Sequence, residues 1–108
     1  MLGVLILHFI IIYKNGIYNY YMEFEYDENE SIANNNKHGI DFVDVQELWS
    51  DENLIEVPAK NLDEPRYMAV GRIKEKHWSV IIVRRNEKIR IISARRSRSE
   101  EINLYENS

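Results

Sequence analysis

Three β-type runs, separated by turns of only two or three residues, constrain this chain more than any other feature. Arg66–Ile73 alternates Tyr67, Ala69 and Gly71 with Met68, Val70 and Arg72. Lys74-Glu75-Lys76 then turns the chain into His77–Arg84, where Trp78 and Val80–Val83 are mostly β-branched or aromatic, and Asn86-Glu87 turns it again into Ile89–Ser93. Parallel neighbours need crossovers of about a dozen residues or more, so these three runs predict an antiparallel meander. Leu54–Val57 reads as a short strand ahead of them, stopped by Pro58.

Helical signals flank the meander. Asp27 is placed to cap a helix over Glu28–Lys37, with acids in its first turn, Lys37-His38 in its last, and Gly39 as a left-handed stop. Three consecutive asparagines make this helix weak by propensity, so packing must hold it. Asp41 opens a second helix, Phe42–Trp49, whose Phe42, Val45, Leu48 and Trp49 form one apolar stripe. Ser97-Arg98-Ser99-Glu100 reads as a capping box leading into a helix that runs to about Glu106. The expected fold is α+β: two short N-terminal helices, a four-stranded antiparallel sheet and a C-terminal helix. At 108 residues there is room for one domain.

Residues 1–21 differ from the rest. Leu2–Tyr13 is apolar except for His8, about half the roughly 20 residues a membrane-spanning helix needs. No basic segment precedes it and no small-residue cleavage site follows, as a signal peptide would require. The expectation is that residues 1–21 are a start-site extension and that the domain proper occupies 22–108.

Charge is divided unevenly. Met22–Glu64 holds thirteen Asp/Glu against two Lys/Arg, whereas Pro65–Arg98 holds eleven Lys/Arg against two acids. The overall charge of −4 therefore conceals a basic half suited to a polyanion. There is no cysteine, which excludes disulfides, thiolate metal sites and thiol nucleophiles. The three histidines are scattered without ligand spacing, and no Gly-rich phosphate loop occurs, so neither a metal nor a cofactor is expected. The densest cationic stretch is Lys88–Arg98, where arginines lie within and just beyond the last strand. Arginine is always charged, and its planar fork of donors fits a phosphate.

Phe24-Glu25-Tyr26-Asp27, Asn34, Lys37-His38-Gly39-Ile40 and Phe42, followed by Arg66, Gly71, Ile89-Arg90-Ile91-Ile92-Ser93-Ala94-Arg95-Arg96, Glu101 and Tyr105, resemble in order and spacing the signature of BrnT-type toxins. Tyr26 stands where tryptophan is usual and Asn35 where an apolar residue is common. The resemblance spans Met22 to about Glu106. It implies a fold similar to RelE ribonucleases and a cytoplasmic toxin that cleaves RNA. It also implies a BrnA-type antitoxin partner with a ribbon-helix-helix DNA-binding part, joined in a heterotetramer that reaches operator DNA only through the antitoxin.

Metal-free RNA cleavage uses the substrate's own 2′-hydroxyl as nucleophile. The protein must take that proton, stabilise charge on the phosphoryl oxygens and protonate the leaving 5′ oxygen. Arg90 and Arg95 are the first candidates for charge stabilisation, Arg96 and Arg84 come next as substrate-binding groups, and Lys37 is placed to bind phosphate. His38 is the candidate for proton transfer, since its unperturbed pKa is about 6.5. Each residue has an ordinary alternative: arginines on a sheet pair with carboxylates, a histidine before a stop glycine serves the helix end, and Trp49 and Trp78 pack in the core. His77, at a turn, is expected to be exposed and idle. A non-catalytic module binding nucleic acid or an acidic partner is the competing reading. What separates the two is whether His38 and unpaired arginines converge.

Overall fold

The computed structural model describes the backbone of residues 5–14, 17–60 and 64–108, and the side chains of 22–60 and 64–108. The side chains of the 1–21 segment thus lie outside the described residues. Six strands, β1 (Leu5–Lys14), β2 (Ile17–Asp27), β3 (Ile55–Ala59), β4 (Arg66–Ile73), β5 (Lys76–Arg85) and β6 (Lys88–Arg96), form one sheet in the order β1-β2-β6-β5-β4-β3. Helix α1 (Glu28–His38) and a 3-10 helix (Asp44–Ser50) separate β2 from β3, and α2 (Ser99–Glu106) closes the chain. Among the described residues no helix is long and apolar enough to cross a membrane.

The α+β class stands, but the expected four-stranded antiparallel sheet with two N-terminal α-helices does not. Strands β2–β6 make a five-stranded mixed sheet, to which β1 adds an edge. Glu23, Phe24 and Glu25 pair in parallel with Lys88, Ile89 and Arg90. The connection between those partners is most of the domain, so no local turn announces it. The second helix is a 3-10 helix. Phe42, Val45 and Leu48 recur at exactly three residues, the period of a 3-10 helix and not the 3.6 of an α-helix. Nor does Pro58 stop β3: it lies opposite Tyr67 within the strand. β3 is the sheet's outer strand, where a residue without an N–H leaves no ladder partner unsatisfied.

Alternation divides the sheet into two faces. Phe24 and Tyr26 on β2, Ile89, Ile91 and Ala94 on β6, Val80 and Ile82 on β5 and Ala69 on β4 are all buried, together with Phe42, Val45, Leu48 and Trp49 from the covering segment. Phe24 meets Trp49 edge-on with ring centroids 5.1 Å apart, and Tyr26 meets Phe42 at 5.7 Å. Gly71 lies under this cover. A Cβ there would come within 3.0–3.1 Å of Leu54 and Leu48 carbons and an Asp51 carboxylate oxygen, so only hydrogen fits without displacement. Asp51 Oδ2 accepts from the Arg72 amide and the Tyr105 hydroxyl, both at 2.7 Å, tying the 3-10 helix, β4 and α2 together. Burial and that bond push the Tyr105 phenol up to about 12.

A register shift between Ile81 and Ile82 interrupts the β5–β6 ladder: Ser93 faces Ile81, Ile91 faces Ile82, and Ile92 has no residue opposite. Without it, residues five apart such as Arg90 and Arg95 would point to opposite faces. With it, they oppose Val83 and Ser79, four apart on β5, and share the face that α2 partly covers.

Helix α1 runs from an Asp27 cap, whose carboxylate accepts from the Asn29 and Glu30 amides, to Gly39 at φ 79°. Its buried residues are polar: Ser31 and Asn34. The Phe42 amide donates to Ser31 Oγ at 2.9 Å. Asn34 Nδ2 donates to the Ile40 carbonyl at 2.8 Å, and the Ala94 amide donates to Asn34 Oδ1 at 3.1 Å. Hydrogen bonds thus seat a helix that lacks an apolar stripe. Asn34→Ala leaves a buried carbonyl and a buried amide without partners and is expected to destabilise the fold by about 3 kcal/mol. The exposed neighbour change Asn35→Ala is expected to be neutral or stabilising by up to about 0.5 kcal/mol. Urea denaturation of both variants checks the contrast.

Candidate nucleic-acid interface

The cations of the β5–β6 hairpin separate into two groups. Around the Asn86-Glu87 turn, whose residues adopt φ 50° and 68°, they are neutralised. Arg84 forks onto Glu56 with a shortest separation of 2.6 Å, Arg85 forks onto Glu64 at 2.6 Å, and Lys88 meets Glu23 at 3.2 Å. Arg85, and more weakly the positive charges of Arg66 and Arg90, hold the Glu64 carboxyl below its ordinary range. Arg90 is half-buried with no ion pair among the described residues.

Arg95 lies about 13 Å along the sheet from Arg90, four strand residues at 3.3 Å each. Its two terminal nitrogens bridge both oxygens of Glu101, at 2.8 and 2.7 Å. Glu101, 8% exposed on α2, also accepts from Ser79 Oγ at 2.7 Å and from the Arg98 amide at 2.9 Å. That last bond makes Arg98 the N-cap of α2 in place of the expected Ser97. The Arg95 guanidinium, above all, holds the Glu101 carboxyl down at about 2 despite its burial.

The opposite end of the sheet is different. Arg96 is exposed, opposite Trp78, with its guanidinium carbon 5.6 Å from the indole centroid. Trp78 forms part of a groove of about 750 Å³ that also runs past Gly39 and Ile40 at the end of α1 and past Lys74 and Lys76 at the β4–β5 turn. Exposed Lys37 and half-buried His38 directly precede Gly39, and Arg98 follows Arg96 by two residues. Register places Arg72 opposite His77 in the same end row. Lys37, His38, Arg72, Lys74, Lys76, Arg96 and Arg98 carry no ion pair among the described residues. Asp44 and Glu47 of the 3-10 helix and Glu75 of the turn line the groove as well, so it is mixed in charge.

Of the six residues singled out in the sequence, His38, Lys37 and Arg96 are therefore gathered at one end. Arg84 and Arg90 lie toward the other, and Arg95 is enclosed by Glu101. Lys74, Lys76 and Arg98 join the first group. In the sequence they read as turn and cap residues; strand pairing brings Lys74 and Lys76 to the end of the sheet where Trp78 carries Arg96, and Arg98 is two residues beyond Arg96. Trp78 is buried, yet its ring carries Arg96. His77 is not idle: its Nε2 is 2.8 Å from Glu106, and its ring meets Tyr105 edge-on at 5.3 Å.

A small α+β domain that pairs most cations at one end of a sheet and leaves most at the other unpaired has the charge pattern of a polyanion-handling protein. Residues 26–101 match the family described as ribonuclease toxin, BrnT, of type II toxin–antitoxin systems, and the chain belongs to that family. It is a type II toxin of the ribonuclease kind, with an antitoxin partner and an RNA target. No curated protein matches it.

The Glu101 carboxyl titrates at about 2 in the fold against an ordinary 4.5, so its contribution to stability is complete above pH 4.5 and is lost as pH falls from there toward 2. Glu101→Gln is expected to lower stability at pH 7 by about 3 kcal/mol, because Arg95 is left without its counter-charge. The gap from wild type should narrow steadily below pH 4.5. Urea midpoints measured from pH 7 to pH 3 check both the size and the direction.

Proposed function

We propose that this toxin cleaves RNA internally and without a metal, by attack of a ribose 2′-hydroxyl on the adjacent phosphate, and that it arrests growth when its antitoxin is absent. The observation that carries this reading is the collection of unpaired cations near the groove that Gly39 and Ile40 line, with His38 the residue before them. In this mechanism Arg96 donates to the phosphoryl oxygens as charge builds on them, where fixed donors count most. His38 takes the proton from the attacking 2′-hydroxyl, and the leaving 5′ oxygen, on the opposite side of the phosphorus, takes one from solvent. Lys37, Lys74 and Lys76 hold neighbouring phosphates. Arg84 and Arg90, at the far end of the hairpin, serve RNA only as flanking charge. The substrate is loosely paired RNA, whose sugars can adopt the in-line geometry a duplex forbids.

The same reading makes the protein cytoplasmic, with the domain proper beginning at Met22. Its partner is a BrnA-type antitoxin with a ribbon-helix-helix part, in a heterotetramer that meets operator DNA through the antitoxin. The fork pairs that tie up Arg84, Arg85 and Arg95 favour a second reading, a non-catalytic RNA-binding module, and the assay below separates the two.

Incubated with end-labelled single-stranded RNA in EDTA, the purified chain is expected to give fragments ending in 2′,3′-cyclic phosphate and 5′-hydroxyl. Arg96→Ala should slow cleavage about 100-fold, and Arg84→Ala by no more than about threefold. Induced expression without antitoxin should stop growth, and Arg96→Ala and His38→Ala should each relieve the arrest. RNA bound but uncut establishes the binding module. Cleavage only when magnesium is restored overturns the metal-free mechanism.

A further inference from the structure

We propose that Arg95 and Glu101 are positioning residues that aim Arg96 and Arg98 at the RNA; this rests on reading that end of the sheet as the cleavage site. Strand β6 stops at Arg96 and α2 starts at Ser99, so both arginines sit on or beside a two-residue link. Such a link would ordinarily let them swing. Here each of its peptide groups is tied down. Arg95 Nη1 donates to the Arg96 carbonyl at 3.1 Å as well as to Glu101. The Ser97 amide donates to the His77 carbonyl at 3.0 Å, and Ser97 Oγ meets Ser79 Oγ at 2.8 Å. The Arg98 amide donates to Glu101 Oε1, the oxygen that also receives Arg95 and Ser79.

Burying an ion pair is a poor route to stability, because desolvation offsets most of the attraction. This pair fixes direction. A guanidinium fork can hold a carboxylate with two nitrogens and still reach a carbonyl, which an ammonium cannot reproduce. Arg96 is thereby presented against the Trp78 ring, and Arg98 leaves the link from a fixed amide. A donor displaced by about 1 Å can cost on the order of 100-fold in rate, so the clamp bears on catalysis as well as on folding.

The test measures kcat and KM on single-stranded RNA with the full chain. Arg95→Lys and Glu101→Gln are each made in the wild-type background and in the Arg96→Ala/Arg98→Ala background, with circular dichroism confirming the folded state at the assay temperature. In the wild-type background each substitution is expected to lower kcat about 10- to 100-fold with KM changed less than about twofold. In the background lacking both arginines each should have no further effect, since the clamp then has nothing to aim. Unchanged kcat, or an equal loss in both backgrounds, overturns the proposal. Should either substitution unfold the chain, Ser79→Ala, which removes one donor from Glu101, carries the same comparison. A wild-type chain inert toward RNA overturns the cleavage reading and the clamp's role with it; an active wild type that tolerates Arg95→Lys overturns the clamp alone.

Discussion

A single side-chain amide, buried between α1 and β6, does for this fold what an apolar stripe does for most surface helices. Asn34 gives its NH₂ to the Ile40 carbonyl and its oxygen to the Ala94 amide, so one group sets where the helix ends and how it lies on the central strand. The groove follows from this. Gly39 and Ile40 leave the helix at the angle those bonds allow, and the chain then drops through Phe42 into the core. A buried polar pairing is more directional than apolar packing and more costly to misplace. It sets α1 in one position over the sheet, with Gly39 and Ile40 lining the groove directly after His38.

The second organising device is the sorting of charge. In a chain of net charge −4, RNA binding requires that acids and cations not simply intermix. The forks of Arg84 and Arg85 with Glu56 and Glu64 consume four charges on exposed parts of the surface, where each pair adds little to stability. Their effect on the field is larger. They leave the turn end of the hairpin close to neutral, whereas the unpaired cations of the other end stand around a groove whose own lining mixes Lys74 and Lys76 with Asp44, Glu47 and Glu75.

How much of this was legible in the sequence depended on how far apart in the chain the interacting residues lie. Asp27 and Gly39 act within one turn of α1, and the Lys74-Glu75 and Asn86-Glu87 turns join adjacent strands, so all four could be read locally. The parallel pairing of β2 with β6 could not, because Phe24 and its partner Ile89 are separated by the rest of the fold. Ser31 and Asn34 could not be read as the packing side of α1, because buried faces are normally apolar and the one large apolar residue of the helix, Ile32, is exposed. At the candidate site, Lys37-His38 and Arg96 could be named but not placed together. The partners of Arg84 and Arg85 are 28 and 21 residues away, beyond local reading. Glu101 is only six residues from Arg95, across a strand end and a helix start. That spacing is short enough to read, and a carboxylate at the third position of a helix is the signal that could have found it.

The unopposed Ile92 decides which way the end of the last strand faces. Excising it would leave Ile91 opposite Ile82 and Ser93 opposite Ile81, so alternation would become simple and every side chain beyond would keep its side. Ironing the irregularity flat while keeping all its residues would do the reverse. Each residue past Ile91 would slip by one place, Arg95 would come opposite Trp78 and Arg96 opposite His77, and the guanidinium now spent on a carboxylate and the one now free would swap occupations. The strand end thus tolerates a shorter β6 better than a straighter one.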